Sequence, residues 1–174
     1  TAIANGLFAN GNAGIVLKDR ALAEISNCKV HTNQAAGIFL RGSGAVRVLK
    51  NEIYANAFAG IEVKDGARPL IRDNIIRDGR SGGVLIHGDA RPTVEGNQIS
   101  GHAAASVEIA DRADPVVRNN DLTSDGSVNI VIRSQGRGRV EKNRLSGNSA
   151  SQIRIVGTAP LILSNTIKGS AGGV

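Results

Sequence analysis

The sequence predicts an all-β solenoid, in which one short structural unit is repeated along the chain and stacked on its neighbours. The first observation is an asparagine that recurs every 23 residues, and a fixed period of this size is typical of stacked repeat proteins. The second is a set of four aliphatic columns with the same period. The third is the absence of helical patterning: glycine supplies 22 of the 174 residues, methionine none, and no segment keeps an amphipathic helical spacing.

The asparagine column sets the register of the repeat, and its residue is counted below as position zero. A buried amide at a bend can bond the backbone and also the amide stacked above it, so we expect a ladder along the whole axis. The column consists of Asn5, Cys28, Asn51, Asn74, Asn97, Asn120, Asn143 and, one residue early, Asn165. Because a thiol is a weak donor, we expect Cys28 to be a small buried filler that weakens the ladder locally.

Three short segments of each repeat alternate inward aliphatic residues with outward residues, which is the pattern of a strand with one buried face. The inward columns lie at positions two, ten, twelve and twenty, as in Ile53, Ile61, Val63 and Ile71 of the third repeat. Parallel turns stacked about 4.8 Å apart would place like residues above like. The sequence therefore predicts a single domain over residues 1–174 with roughly seven rungs of three short strands.

Turn residues recur with the same period. Position nine is glycine in four successive repeats, and we expect these residues to form sharp bends that need small or left-handed-tolerant residues. Position eighteen carries prolines, which can begin a strand without interrupting its hydrogen bonds. The position-nine residues are Gly14, Gly37, Gly60 and Gly83, followed by Ser106, Asn129 and Gln152; the prolines are Pro69, Pro92, Pro115 and, after the slip, Pro160.

The repeat resembles a known family. The unit N-x-I-x-x-N-x-x-x-G-I-x-V of residues 51–63, with the A-R-P steps of residues 67–69 and 90–92, resembles the repeats of the carbohydrate-binding and sugar-hydrolase (CASH) group. The resemblance covers essentially the whole chain and implies a right-handed single-stranded parallel β-helix. Similar repeats occur in polysaccharide lyases and epimerases, in periplasmic NosD proteins and in β-helix F-box proteins. The short rungs without long insertions look most like the last two groups.

The outward residues at positions eleven and thirteen form the candidate binding face, on what is predicted to be the longest sheet. Position thirteen is a cationic row broken by Ala110, and position eleven is unusually apolar. Such a surface suits an acidic or apolar protein segment, or an anionic polysaccharide. A solvated face that prevents lateral association is the alternative. The predicted face comprises Val16, Lys18, Phe39, Arg41, Lys64, Leu85, His87, Val131 and Arg133.

An enzyme would need a general acid and a general base on this face. Glu62 and Glu108 share position eleven two rungs apart, so their backbones are separated by about 9.6 Å, near the upper limit for an inverting pair of carboxylates. His87 lies between them, and Lys64 could neutralise a uronate carboxylate. These four residues are the catalytic candidates. Catalytic β-helix proteins generally have long loops and aromatic subsites that this chain lacks, so the sequence favours a non-catalytic role and leaves the enzyme alternative open.

Neither a metal nor a cofactor is predicted. Asp19, Asp65 and Asp111 recur at position fourteen on alternate rungs, too far apart to share a calcium ion, and are predicted to form turns. His31 and His102 are expected to be solitary surface residues. The net charge of +6 is spread over several faces, and the four aromatic residues offer no stacking platform. A dedicated nucleic-acid site is therefore not expected.

The remaining features bear on context. No apolar run approaches 18 residues, so no membrane span is predicted, and a single cysteine suits a reducing compartment, which favours the cytoplasm. Residues 172–174 look like the start of another rung, so we expect a piece of a longer protein with uncapped terminal rungs, for which end-to-end self-association is possible. The predicted function is a non-catalytic scaffold that binds a partner protein. The alternatives are a carbohydrate-binding protein or a polysaccharide lyase or epimerase, and a structural spacer.

Overall fold

The chain folds entirely into short β-strands and turns. Its structure is a computed structural model that describes residues 1–124, 127–147 and 151–169, so the predicted rung start at residues 172–174 lies outside the described residues. The described residues contain 23 strands and no helix. No helix among them could cross a membrane.

The strands, numbered along the chain, form three parallel sheets. Sheet A contains β1 Ala2–Ile3, β4 Ala23–Ser26, β7 Val46–Leu49, β10 Leu70–Arg72, β13 Thr93–Glu95, β16 Val116–Arg118, β19 Arg139–Glu141 and β22 Leu161–Leu163. Sheet B contains β2 Gly6–Phe8, β5 Lys29–His31, β8 Glu52–Tyr54, β11 Ile75–Arg77, β14 Gln98–Ser100, β17 Asp121–Thr123, β20 Arg144–Ser146 and β23 Thr166–Lys168. Sheet C contains β3 Ile15–Leu17, β6 Ile38–Arg41, β9 Ile61–Lys64, β12 Val84–Ile86, β15 Val107–Ile109, β18 Ile130–Ile132 and β21 Ile153–Ile155.

Strand pairing follows the predicted period. In sheet A, Ile71 pairs with Val48 on one side and Val94 on the other, each 23 residues away. Each complete rung contributes one strand to each sheet, which confirms the predicted solenoid of about seven rungs with three strands each. The sheet predicted to be the longest, sheet C, has seven strands, whereas sheets A and B have eight.

The four aliphatic columns form a single core along the axis. In the third repeat, Ile53, Ile61, Val63 and Ile71 are completely buried, as the alternation of inward and outward residues predicts. Ile and Val predominate because β-branched side chains pack well on a pleated, parallel surface. This core occupies the interior, so the outward side chains of the three sheets and the turns are the surfaces on which a binding site can be built.

The asparagine column forms the predicted ladder. Each amide oxygen accepts bonds from the backbone N–H and the side-chain Nδ2 of the asparagine one rung earlier, as Asn97 does from Asn74 at 2.9 Å for both. The Nδ2 group of a ladder asparagine also donates to the backbone carbonyl of the position-twenty residue 26 residues earlier in the chain, as Asn97 does to Ile71 at 3.0 Å. The ladder continues through the one-residue slip, because Asn165 accepts both bonds from Asn143 at 2.9 Å.

Cys28 interrupts this ladder. It is buried, as predicted, and its backbone N–H still donates to Asn51 Oδ1 at 2.9 Å. Its thiol contacts the carbonyl oxygens of Ala2 and Ser26 at 3.5 and 3.4 Å, but sulfur supplies no amide oxygen to the previous rung. Asn5 consequently has no ladder bond to Cys28, and its Nδ2 donates to the nearby carbonyl of Ile3 at 3.0 Å.

Replacing Cys28 by asparagine is expected to stabilise the protein by about 1 kcal/mol, the scale of one net buried hydrogen bond. The new Oδ1 would accept from the backbone of Asn5, and the new Nδ2 would donate to Ala2 in place of the thiol. Urea unfolding of the two proteins, compared at constant slope, measures the change. A lower unfolding midpoint in the variant would mean that the pocket is shaped around sulfur.

A second polar column at position five was not predicted, and it corrects the expectation for His102. Asn10, Asn33 and Asn56 form a ladder there, with Asn33 Nδ2 donating to Asn56 Oδ1 at 2.9 Å. His102 stands in the same column and is buried rather than exposed. Its Nδ1 accepts the N–H of Gly79 at 3.2 Å and its Nε2 donates to the carbonyl of Ile76 at 3.2 Å. The imidazole therefore replaces an asparagine amide.

The position-nine glycines have a different role from the predicted one. Gly14, Gly37, Gly60 and Gly83 all have negative φ, so they are not there to supply a left-handed bend. A Cβ on Gly37 would lie 2.8 Å from Asn56 Nδ2 and 2.7 Å from the carbonyl oxygen of Gly60. Glycine is required because the position-five ladder and the next rung occupy that space. In later rungs the polar column moves to position nine itself, through hydrogen bonds that join Ser106, Asn129 and Gln152.

The other predicted turn residues lie as expected. Pro69, Pro92 and Pro115 each precede a strand of sheet A, and their carbonyls accept bonds from the next rung, such as Thr93 N to Pro69 O at 3.0 Å. Asp19, Asp65 and Asp111 follow sheet C and have left-handed φ values of 60°, 52° and 50°. A left-handed position favours aspartate among non-glycine residues, which explains this column without a metal.

Candidate functional site

The outward face of sheet C brings the predicted binding residues together. Strands β3, β6, β9, β12, β15, β18 and β21 lie side by side in register, so position eleven forms one row along the axis and position thirteen a second. Ala110, the single break in the cationic row, is buried. The structure therefore places all nine predicted face residues on one surface.

The apolar row is less exposed than the sequence predicts. Val16 is exposed, but Phe39, Leu85 and Val131 are half-buried. Turn residues that precede β6, β9 and β12, among them Ala35, Phe58 and Ser81, line depressions beside this row. The row is the floor of a groove and not an open stripe.

Two depressions lie along this groove. The first, of about 220 Å³, is lined by turn residues Ala35 and Ala36 and by the outward side chains Val16, Lys18 and Phe39, among others. The second, of about 190 Å³, lies further along the axis and is lined by Phe58, Ser81, Leu85, Glu108 and Arg133, among others. The preceding turns thus form one wall of the groove and the cationic row the other.

Carboxylates pair with several cations of this row. Arg41 Nε and Lys64 Nζ lie 3.7 and 3.9 Å from the same Asp65 oxygen, and all three side chains are partly exposed. Arg133 binds Glu108 more closely, through Nε at 2.8 Å and Nη2 at 2.5 Å. Exposed pairs of this kind contribute little to stability. Among the described residues, Lys18 and Arg154 on this face form no ion pair.

The catalytic candidates are only partly brought together. His87 Nε2 lies 3.0 Å from Glu62 Oε1, and His87 Nδ1 lies 3.9 Å from Asp111 Oδ2. The side chains of Glu62 and His87 are 15% and 20% exposed, so this contact lies in the groove floor and is accessible from solvent. Glu108 is held by Arg133 instead, and Lys64 by Asp65. The structure therefore contains one carboxylate–imidazole pair and not a free pair of carboxylates.

No group of three histidine, cysteine or acidic side chains in the described residues could hold a metal ion. Among the four catalytic candidates, the one close side-chain contact is between Glu62 and His87. Chemically, the face can bind anions at its cations, accept hydrogen bonds from hydroxyl groups at its carboxylates, and move a proton at His87.

Sheet B carries a stacked column that the sequence analysis missed. The rings of Phe8 and His31 stack at 5.0 Å, those of His31 and Tyr54 at 4.5 Å, and the guanidinium of Arg77 lies 4.5 Å over Tyr54. The expectation that His31 is a solitary residue is therefore wrong. The signal was available, because these four residues share position three in successive repeats.

Arg77 closes this column and is itself held by carboxylates. Its Nη2 donates to Glu52 Oε1 and its Nη1 to Asp78 Oδ2, both at 2.6 Å. The hydrogen bond from Arg77 is the main reason why the pKa of Glu52 is lowered. The rings of this column therefore stack on one another and on the guanidinium of Arg77, which in turn binds two carboxylates.

Comparison with known proteins places the fold. The sequence matches the family described as right handed beta helix region over residues 13–171. No curated protein matches it. Among solved structures, it is similar to the A-module of Azotobacter vinelandii mannuronan C-5 epimerase AlgE6, with a TM-score of 0.77 and 16% identity over 98% of this chain and 57% of that chain.

A second solved structure is similar in the same way. The A-module of Azotobacter vinelandii mannuronan C-5 epimerase AlgE4 has a TM-score of 0.69 and 15% identity over 87% of this chain and 55% of that chain. The chain thus spans little more than half the length of either module, and likeness at this identity establishes the fold alone. Together with the family match over most of the sequence, it confirms the predicted handedness: the chain belongs to the right-handed β-helix family.

Proposed function

We propose that the groove on sheet C binds an anionic polysaccharide that lies along the solenoid axis. The observation that carries this proposal is the charge of the face. Positions eleven and thirteen together hold five cations and two carboxylates, a net charge of +3, whereas the net charge of the whole chain is +6. The cations are Lys18, Arg41, Lys64, Arg133 and Arg154, and the carboxylates are Glu62 and Glu108.

The spacing of this charge suits a polymer. Lys18, Arg41 and Lys64 occupy consecutive rungs, so their backbones repeat at the strand spacing of about 4.8 Å. A polyanion aligned with the axis meets a new cation at each rung, whereas a small anion would meet one or two. A surface with an excess of one sign of charge also concentrates oppositely charged ligands and speeds their association.

The carboxylates suit a sugar rather than a simple anion. Glu62 and Glu108 are acceptor-only groups when ionised, and a polysaccharide offers hydroxyl donors to them beside its acidic groups. The two similar solved structures are modules of epimerases named for mannuronan, an acidic polysaccharide. They support the class of ligand.

A proton-transfer enzyme acting on the same polymer is the second candidate, favoured by the contact between Glu62 and His87. With Nε2–H donating to the carboxylate, Nδ1 carries the free lone pair and can act as a base, and Lys64 lies in the same row on the preceding rung. An epimerase or a lyase reaction on a uronate begins with such a proton removal.

Binding of an acidic or apolar protein segment stays a prediction for the same groove. It requires an apolar contact surface, and the half-burial of Phe39 and Leu85 leaves less of it than the sequence suggests. We therefore place the polysaccharide first.

The double variant Lys18→Glu and Arg41→Glu is expected to bind mannuronan at least tenfold more weakly than the parent, because it reverses two neighbouring charges of the groove. The salt dependence of the remaining binding should also be shallower, since fewer cations contact the polymer. Isothermal titration at several salt concentrations measures both quantities. Circular dichroism and the unfolding midpoint check that the fold is retained.

The matched control is Lys50→Glu with Lys142→Glu, which makes the same change of net charge at exposed turns between sheets A and B. Equal weakening in both double variants would mean that net charge and not the groove binds the polymer, and would overturn the proposal. The same mixtures are assayed for epimerised or unsaturated product. Turnover that is lost in His87→Ala would promote the second candidate.

A further inference from the structure

Phe58 is an unusual exposed side chain in this solenoid. Among the described residues, large apolar side chains are exposed mainly in the first and last rungs, and the exceptions are Phe58 at 41% and Ile75 at 43%. Ile75 lies on sheet B, away from the groove. Phe58 lies in the turn between β8 and β9, on the wall of the groove.

The neighbours of Phe58 leave room beside its ring. The same position of the turn, position seven, is alanine one rung earlier and serine one rung later, at Ala35 and Ser81. Ala35 lines the first depression of the groove, and Phe58 and Ser81 line the second. The aromatic ring therefore lines the second depression, one rung from Ala35 of the first, and is flanked along the axis by small side chains.

The ring of Phe58 has no stacking partner among the described residues, and hydrogen bonds hold the turn that carries it. Phe8 and Tyr54 are engaged in the column on sheet B, but in the part of the chain that the structure describes no aromatic ring or guanidinium stacks on Phe58. Its backbone N–H donates to Ala35 O at 3.2 Å, and the buried amide of Asn56 anchors the same turn. A platform fixed in this way loses little conformational entropy when a ligand binds.

We propose that Phe58 is the stacking platform for one sugar ring of the polysaccharide, an inference that rests on the function proposed above. A pyranose ring has an apolar face of C–H groups and a rim of hydroxyls. The face of an aromatic ring carries negative charge density and packs against such C–H groups. With a ring on Phe58, the acidic groups of the polymer face the cationic wall across the groove. An acidic peptide has no equivalent flat face, so Phe58 selects a carbohydrate.

The experiment compares two acidic polymers, mannuronan oligosaccharides and poly-L-glutamate, with four variants. Phe58→Ala removes the ring, Phe58→Leu keeps apolar bulk without a flat face, and Phe58→Tyr keeps the face. Ile75→Ala is the control for loss of an equally exposed apolar side chain elsewhere. Affinities are measured at low salt and at about 0.3 M NaCl, where attraction between exposed charges is largely screened.

In the higher salt, Phe58→Ala is expected to bind mannuronan about tenfold more weakly, and Phe58→Leu nearly so, whereas Phe58→Tyr and Ile75→Ala bind like the parent. Binding of poly-L-glutamate should be unchanged in all four. Unaltered mannuronan binding by Phe58→Ala, or an equal loss for poly-L-glutamate, would overturn the stacking role and leave the proposed function standing. Failure of the parent protein to bind mannuronan in low salt would remove both.

Discussion

Replacing Asn97 by alanine is expected to lower the free energy of unfolding by about 4 kcal/mol, a large part of the stability of a typical domain. Asn97 is buried in the middle of the asparagine ladder. Its Oδ1 accepts two bonds from Asn74, at 2.9 Å each, and its Nδ2 donates to Ile71 O and to Asn120 Oδ1. A methyl group can replace none of these.

The cost is large because the partners stay buried after the change. Two N–H groups of Asn74 lose their acceptor, and the carbonyl of Ile71 loses a donor, while neither can reach water. Each buried polar group left unpaired costs about 1 to 3 kcal/mol, more than a solvated hydrogen bond contributes. The rungs above and below also hold their spacing through Asn97, so little relaxation is available.

Asn5→Ala is the matched control, since Asn5 is in the same column but exposed, and among the described residues its side chain bonds only to Ile3 O. It should change the free energy of unfolding by less than about 1 kcal/mol. Urea unfolding of both variants, with the slope checked for equality, gives the comparison. Similar losses at the two positions would show that the ladder bonds are not what stabilises the rungs.

The fold was predictable because its determinants repeat. An inward aliphatic residue such as Ile71 contacts its equivalents Val48 and Val94, so each column of the sequence is also a column in space. Even the position of Cys28, buried and without an amide oxygen for Asn5, followed from its place in the column. In a stacked solenoid, residues one period apart in the sequence are in contact, whereas most folds have no such relation between sequence spacing and contact.

The candidate site was less predictable, because outward residues choose partners across rungs and turns. His87 bonds Glu62 and Arg133 bonds Glu108, so each of these position-thirteen side chains reaches a carboxylate on the preceding rung. Considering positions eleven and thirteen as separate rows does not reveal these contacts, because they join one row to the other. The groove was missed for the same reason, since its wall comes from turns such as that of Phe58.

The interior polar columns show a second limit of sequence reasoning. Gly37 looks like a bend residue, yet it is needed because Asn56 fills the space a Cβ would occupy. Likewise Gly79 makes room for His102, whose Nδ1 would lie 2.7 Å from a Cβ there. Glycine is needed at these positions because of side chains in another column. A single column considered alone therefore suggests the wrong reason for the glycine.

The stability of the parent protein is expected to fall as the pH drops below the ordinary histidine pKa of 6.5, and His102 is the reason. Burial lowers the pKa of His102, more than the carbonyl of Ile76 and the carboxylate of Asp78 raise it. In acid the unfolded chain therefore binds a proton at this residue while the folded chain does not. Proton binding to the unfolded state alone favours unfolding, so this contribution is complete above pH 6.5 and is lost below it.

The hydrogen bonds of His102 also predict lower stability in acid. Nδ1 accepts the N–H of Gly79, so a proton there removes the acceptor and sets two donors against each other in a buried site. The variant His102→Asn removes the titration and keeps the bonds, because Asn56 already makes the equivalent pair with Asn33 N at 3.1 Å and Val30 O at 3.2 Å. It should be nearly as stable as the parent above pH 7 and more stable than the parent at pH 5. Unfolding free energies measured across this range test the difference, in which His31, His87 and the carboxylates cancel because both proteins contain them. Parallel curves for the two proteins would contradict this prediction, because they would mean that His102 is protonated as readily in the folded state as in the unfolded one.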